Sequence, residues 1–297
     1  MAGRPVLWVG LMVLVAVLAV VAIVSLRPSS DAPQAFDHYP VSRQVQWELN
    51  VRNLTGQALR EVEILSFLPL PDTWQQALIS VTANHPLEQQ LDRLQQPVGR
   101  IQLETIPPYG QRNVRFEAEL ALADDFGNHE RTPIEHWLVA EALIESDHER
   151  IIRLAGHLRR ADALQTTRAI YDWLVAEVTY GGYDPVDRGA LHALDKREGD
   201  CTEYSALAVA LARANGIPAR LVNGYVMNED GRLSPFAFHA WAEIRVDDRW
   251  LIVDAQERRF DPSPAHFLAT HYGTSRSRSL DWTRFHSGQA GISIEMR

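Results

Sequence analysis

The chain has 297 residues, 46% hydrophobic and 23% charged, which is the balance of folded modules rather than disorder and enough for two ordinary domains. A formal net charge of -9, with no run of lysine or arginine, argues against a nucleic-acid partner, whose phosphates it would repel. A single cysteine rules out an internal disulfide.

Val6 to Leu26 is 21 residues without a charge. At about 1.5 Å per helical residue this run matches the roughly 30 Å core of a bilayer. Residues 1–26 are therefore read as one N-terminal transmembrane helix acting as a membrane anchor. The competing reading is a cleaved signal peptide. Its apolar region would be only about 7–15 residues, and Pro33 would follow the best cleavage site, Ser30-Asp31-Ala32. The short leader before the span favours export of the rest. The expected location is the cell membrane, single-pass, with the bulk of the chain outside the cytoplasm and periplasmic in a Gram-negative host. Residues 27–36, rich in proline, serine and alanine, look like a tether.

Residues 37–128 alternate with period two. Val45, Trp47, Leu49 and Val51 share one face, and "GRIQLETI" and "NVRFEAELAL" alternate in the same way. Turn-forming pieces such as "NLTGQ", "LPLPD" and "PPYGQ" separate these runs, so an all-β, immunoglobulin-like sandwich is expected. It carries no catalytic cluster and reads as a spacer or folding partner. Asn53-Leu54-Thr55 matches a glycosylation sequon.

Residues 129–297 open with helical periodicity. Ser146 and Glu149 have capping-box spacing ahead of Ile151, Ile152, Leu154, Ala155 and Leu158. A second helix carries Leu164, Ile170, Trp173, Leu174 and Val178, and Gly181, Gly182 and Pro185 stop it. Asp200 and Glu203 form another capping-box pair, which makes Cys201 the first residue of the helix "CTEYSALAVALARA", ended by Asn215-Gly216-Ile217-Pro218. A thiol there feels the positive end of the helix dipole, although the Asp200 carboxylate opposes it.

Downstream, "FHAWAEIRVDDRWLIVDAQ" reads as two strands joined by a tight turn at Asp247-Asp248. Counting outward from that turn makes Asp254 a diagonal neighbour of His239 on one face, within side-chain reach. A histidine oriented by an aspartate and offered to a helix-start thiol is the arrangement for nucleophilic acyl transfer. Cys201 attacks an amide or ester carbonyl, His239 moves the proton, Asp254 holds the ring, and the Cys201 N–H is one oxyanion donor.

Gly199-Asp200-Cys201, Gly216-Ile217-Pro218-Ala219-Arg220, Gly224-Tyr225, His239-Ala240-Trp241 and Trp250 with Asp254 together resemble the core of the transglutaminase-like superfamily, of a membrane-anchored bacterial type, over roughly residues 147–256. The resemblance implies a papain-like α+β fold with Cys201, His239 and Asp254 as a catalytic triad. It also implies an oxyanion donor upstream of the cysteine, for which Tyr180 is the candidate with Tyr183 behind it; Trp241 is a further candidate for the cleft. The partner would be a protein or peptide substrate, resolved from the acyl-enzyme by an amine in cross-linking or by water in hydrolysis.

No HExxH, cysteine cluster or EF-hand pattern is present, and His266 and His271 are poorly spaced for one metal, so no metal and no cofactor are expected. His192 reads as a cleft or surface residue. A non-catalytic envelope scaffold and a Cys201-linked dimer are the alternatives to an enzyme. "ISIEM", near the C-terminus, is expected as a last strand on the papain-like sheet, and "SRSRSLDWTRFHSG" as a loop near the cleft mouth.

Overall fold

The computed structural model describes residues 38–92, 95–125, 134–273 and 284–297. The proposed span and tether lie outside the described residues. Among those described, no helix is long and apolar enough to cross a membrane.

The first half of the chain is built from β1 (Val41–Asn53), β2 (Leu59–Phe67), β3 (Gln76–Ala83), β4 (Leu87–Leu91), β5 (Pro97–Ile106) and β6 (Gln111–Leu122). Alternation decides which face is buried. Val45, Trp47, Leu49 and Val51 of β1 are buried together with Val114, Phe116, Ala118 and Leu120 of β6. The two strands are antiparallel, with Trp47 directly opposite Phe116, and the two rings stack at 4.9 Å. Val62 and Ile64 of β2 and Ile101 and Leu103 of β5 complete the same core from a second sheet. Asn53, the sequon asparagine, is 1% exposed and its amide donates to Gln57 O, Ile106 O and Pro107 O. It fixes the β1–β2 turn, and its amide nitrogen is not free to carry a sugar in the folded chain.

The second half contains α1 (Glu149–Leu158), α2 (Ala163–Glu177), β7 (Thr179–Tyr180), α3 (Gly189–Lys196), β8 (Glu198–Gly199), α4 (Cys201–Ala214), β9 (Ala219–Val226), β10 (Gly231–Arg232), β11 (Phe238–Val246), β12 (Arg249–Asp254), β13 (Arg259–Phe260) and β14 (Phe267–Tyr272). It ends in β15 (Phe285–His286) and β16 (Ile292–Met296). The main sheet runs β13-β12-β11-β9-β14. Helix α4 is buried on all sides from Glu203 to Arg213, the mark of a central helix, and packs against the sheet and the other helices.

Two expectations are corrected. The cap of α1 is His148, whose Nδ1 accepts the Arg150 N–H, rather than Ser146, which lies buried in the preceding turn. The segment "ISIEM" does not join the papain-like sheet. As β16 it pairs antiparallel with β1, Leu49 opposite Met296, because its apolar side chains fill the core of the first half. Likewise β10 pairs with β1 and β15 with β2.

The two halves are joined by buried polar contacts. Gln76 donates to Leu70 O and Ala269 O and accepts the Ala269 N–H at 2.7 Å, while Gln75 donates to Phe267 O. Trp74 packs with Trp241, Trp250 and Phe267 in one apolar cluster.

Candidate active site

The helix-start prediction for Cys201 holds in detail. Asp200 is the N-cap, its Oδ1 accepting the Thr202 N–H at 2.8 Å, and Glu203 returns the bond to the Asp200 N–H at 3.1 Å. As the first residue of α4, Cys201 has an N–H without an intrahelical partner. Gly199 is needed just before this cap, because a Cβ there would overlap the Glu203 side chain.

The turn Asp247-Asp248 gives the expected register, Val246 opposite Arg249 and Ala242 opposite Val253. His239 and Asp254 consequently meet at the ends of β11 and β12, with Nε2 3.0 Å from Oδ2. Both are buried, at 8% and 2% exposure. The ring N–H is off line for a straight hydrogen bond, so the contact is an ion pair across a short gap. Burial lowers the affinity of the His239 ring for its proton. The Asp254 and Cys201 side chains beside it, by contact and by charge, outweigh that and push it up to about 10. With Nε2 committed to Asp254, Nδ1 is the nitrogen left for the thiol. Opposite His239 on β9 is Gly224, where any Cβ would overlap the Leu268 carbonyl.

Cys201 and His239 line a cleft of about 830 Å³. Tyr180 and Tyr183 line it too. Tyr180 lies beside Gly199 in the parallel β7–β8 pair. Burial, then the negative charge of Cys201 and Asp200, raise its pKa and keep its phenol a proton donor. Trp241 is not a cleft residue. It lies further along β11, packs against Phe267 (5.1 Å), is fully buried, and donates to Glu243 Oε1 at 3.3 Å. Its indole is structural. His192 is absent from the cleft lining, whereas His271 is part of it, stacked at 4.0 Å on Phe67, with burial lowering its pKa to about 3 so that it is neutral.

Several residues were missed by sequence reasoning. Beyond its cap, Glu203 accepts the Arg188 N–H at 2.8 Å, and Asp200 Oδ2 accepts the Asp184 N–H at 3.1 Å. The two buried carboxylates thus pin the 184–188 loop, a wall of the cleft, to the start of the nucleophile helix. The capping-box spacing was the available signal, and it revealed only half of this role. Behind the sheet, Glu243 pairs with Arg220 at 2.7 Å, both fully buried, and the guanidinium stacks 4.2 Å from the Trp250 ring centre. No local pattern marks that pair.

Residues 153–255 match the family model of the transglutaminase-like superfamily core, and this segment is a transglutaminase-like core. Uncharacterized proteins of Mycobacterium bovis and Mycobacterium tuberculosis are each 30% identical over 105 residues, 33% of this chain and 33% of theirs. The chain thus spans about a third of the length of the curated relatives it matches. Among solved structures, a "Putative Cysteine Protease" from Cytophaga hutchinsonii aligns over 86% of this chain and 92% of its own, with TM-score 0.57 and 17% identity, which shows a shared fold. The periplasmic domain of TgpA from Pseudomonas aeruginosa aligns over 70% of this chain and 87% of its own, with 20% identity and TM-score 0.39.

Proposed function

We propose that the protein is a thiol-dependent acyl-transfer enzyme acting on amide bonds of proteins or peptides, with Cys201, His239 and Asp254 as its triad. The observation that carries this reading is the placement of His239: its ring lies 3.0 Å from Asp254 and lines one cleft with Cys201. A thiolate paired with an imidazolium is the resting form of a cysteine nucleophile. Sγ attacks the carbonyl carbon, and the oxyanion is met by the Cys201 N–H and the Tyr180 phenol. His239 gives its proton to the leaving amine as the C–N bond breaks, leaving a thioester. Tyr183 is 74% exposed at the cleft, so water reaches that thioester and hydrolysis is the default outcome; an amine in its place gives an isopeptide.

The same reading takes the paired sheets of the first half as an immunoglobulin-like sandwich and residues 6–26 as a single membrane span, with the core outside the cytoplasm. The uncharged apolar run supports the span. Retention of the full chain in the membrane pellet after alkaline carbonate extraction, and its digestion by protease added to spheroplasts, are the outcomes expected; a soluble or protected chain overturns the placement.

The chemistry is tested by alkylating residues 31–297 with iodoacetamide at pH 7. Labelling of Cys201 should outpace a free thiol and fall at least about tenfold in His239→Ala. Labelling that ignores His239 sinks the enzyme reading in favour of a non-catalytic scaffold.

A further inference from the structure

Exposed large hydrophobic side chains are usually scattered singly over a protein surface. Here four of them line the one cleft that holds Cys201 and His239: Phe236 at 96% exposure, Tyr183 at 74%, Val186 at 62% and Tyr180 at 57%. They come from two segments whose backbones are fixed. Tyr183 precedes, and Val186 lies within, the loop that Asp200 and Glu203 hold by its Asp184 and Arg188 N–H groups. Phe236 sits on a 3-10 turn, Pro235–Ala237, capped by the Ser234 hydroxyl, which accepts the Phe236 N–H at 3.2 Å. That turn leads directly into His239. An almost wholly exposed phenylalanine on a capped turn makes no contribution to the core and costs solubility, so its place beside the reacting groups calls for a ligand.

Two carboxylates of the lining are already matched, Asp184 by Arg188 and Glu257 by Arg259 at 4.0 Å, and Arg284 stands among them, so exposed apolar surface rather than charge characterises this wall.

We propose that Phe236, Tyr183 and Val186 form a specificity subsite that grips a bulky apolar or aromatic side chain next to the reacting amide of a peptide. This rests on the acyl-transfer reading and names its substrate class. The three residues are specificity determinants and take no part in bond making.

The test compares three alkylating probes on the protein and on glutathione: iodoacetamide, its N-benzyl derivative, and the same derivative carrying a para carboxylate on the ring. The readout is the benzyl-to-parent rate ratio at Cys201, divided by that ratio for glutathione. The expected value is about tenfold, falling to near unity in Phe236→Ala and severalfold in Tyr183→Ala, with the carboxylated probe losing most of the gain. Both side chains are exposed, so truncating either leaves the core intact. A ratio equal to that of glutathione, or one indifferent to both truncations, overturns the subsite. Uniformly slow labelling with the ratio intact instead removes the acyl-transfer reading and leaves the subsite standing.

Discussion

The indole N–H of Trp74, on the loop after β2, donates to Glu243 Oε2 of β11 at 2.9 Å, bridging 169 positions of chain. The same oxygen takes the Arg220 guanidinium at 2.7 Å, so one buried carboxylate joins the β-rich first half to the back of the sheet that carries His239.

Breaking this junction from the two sides has unequal results. Trp74→Phe removes one hydrogen bond from a carboxylate that keeps Arg220, and should cost about 1–3 kcal/mol. Glu243→Gln removes the negative charge 2.7 Å from a fully buried guanidinium and should cost about 3–5 kcal/mol. Urea denaturation of both variants measures the difference; equal losses contradict the arrangement.

His239 links stability to pH. The folded ring is pushed up from 6.5 to about 10, so it binds its proton more tightly than the unfolded chain does. That contribution is complete below pH 6.5 and drains away as pH rises towards about 10. The gap in Tm between wild type and His239→Gln should therefore be widest near pH 6 and shrink above pH 8, as about two points on that window. A constant gap shows that the ring is not charged in the folded state.

Tyr180→Phe separates oxyanion stabilisation from nucleophile activation. Turnover of an amide reporter should fall by about tenfold to a hundredfold, while iodoacetamide labelling of Cys201 stays within about twofold of wild type. Equal loss of both places the phenol in the thiol's own hydrogen bonding instead.

Glu203→Gln keeps one acceptor oxygen where two N–H groups are waiting, those of Asp200 and Arg188. The 184–188 wall should loosen, raising KM severalfold with a smaller change in kcat. A fall confined to kcat points to damage at the helix start alone.

The parts of the site legible in the sequence are those written in short-range rules. Asp200 and Glu203 mark the helix start three residues apart, Gly216 marks its end with φ +77°, and the two aspartates at 247 and 248 set the register that brings His239 to Asp254. What escaped reading depends on partners far along the chain. Trp241 follows the histidine by two positions, and alternation places it on the sheet, but only Trp74, Phe267 and Glu243 decide that it is core rather than cleft. The apolar alternation of Ile292, Ile294 and Met296 identifies a strand without saying which sheet it completes. His148 supplanted Ser146 as a cap because an imidazole nitrogen serves as acceptor as well as a hydroxyl does.

The pairing of β1 with β16 also sets an order of events at the ribosome. β1 emerges long before β16, so Leu49 and Val51 stay without one neighbour until Met296 and Ile294 have been translated. A sheet closed by so long a loop forms late, since its entropy of closure is lost before its contacts are gained. The nascent chain therefore carries an open β1 edge until β16 has emerged. An edge of that kind is a template for pairing with another chain, so aggregation during expression should respond most to chaperone supply and to the speed of elongation.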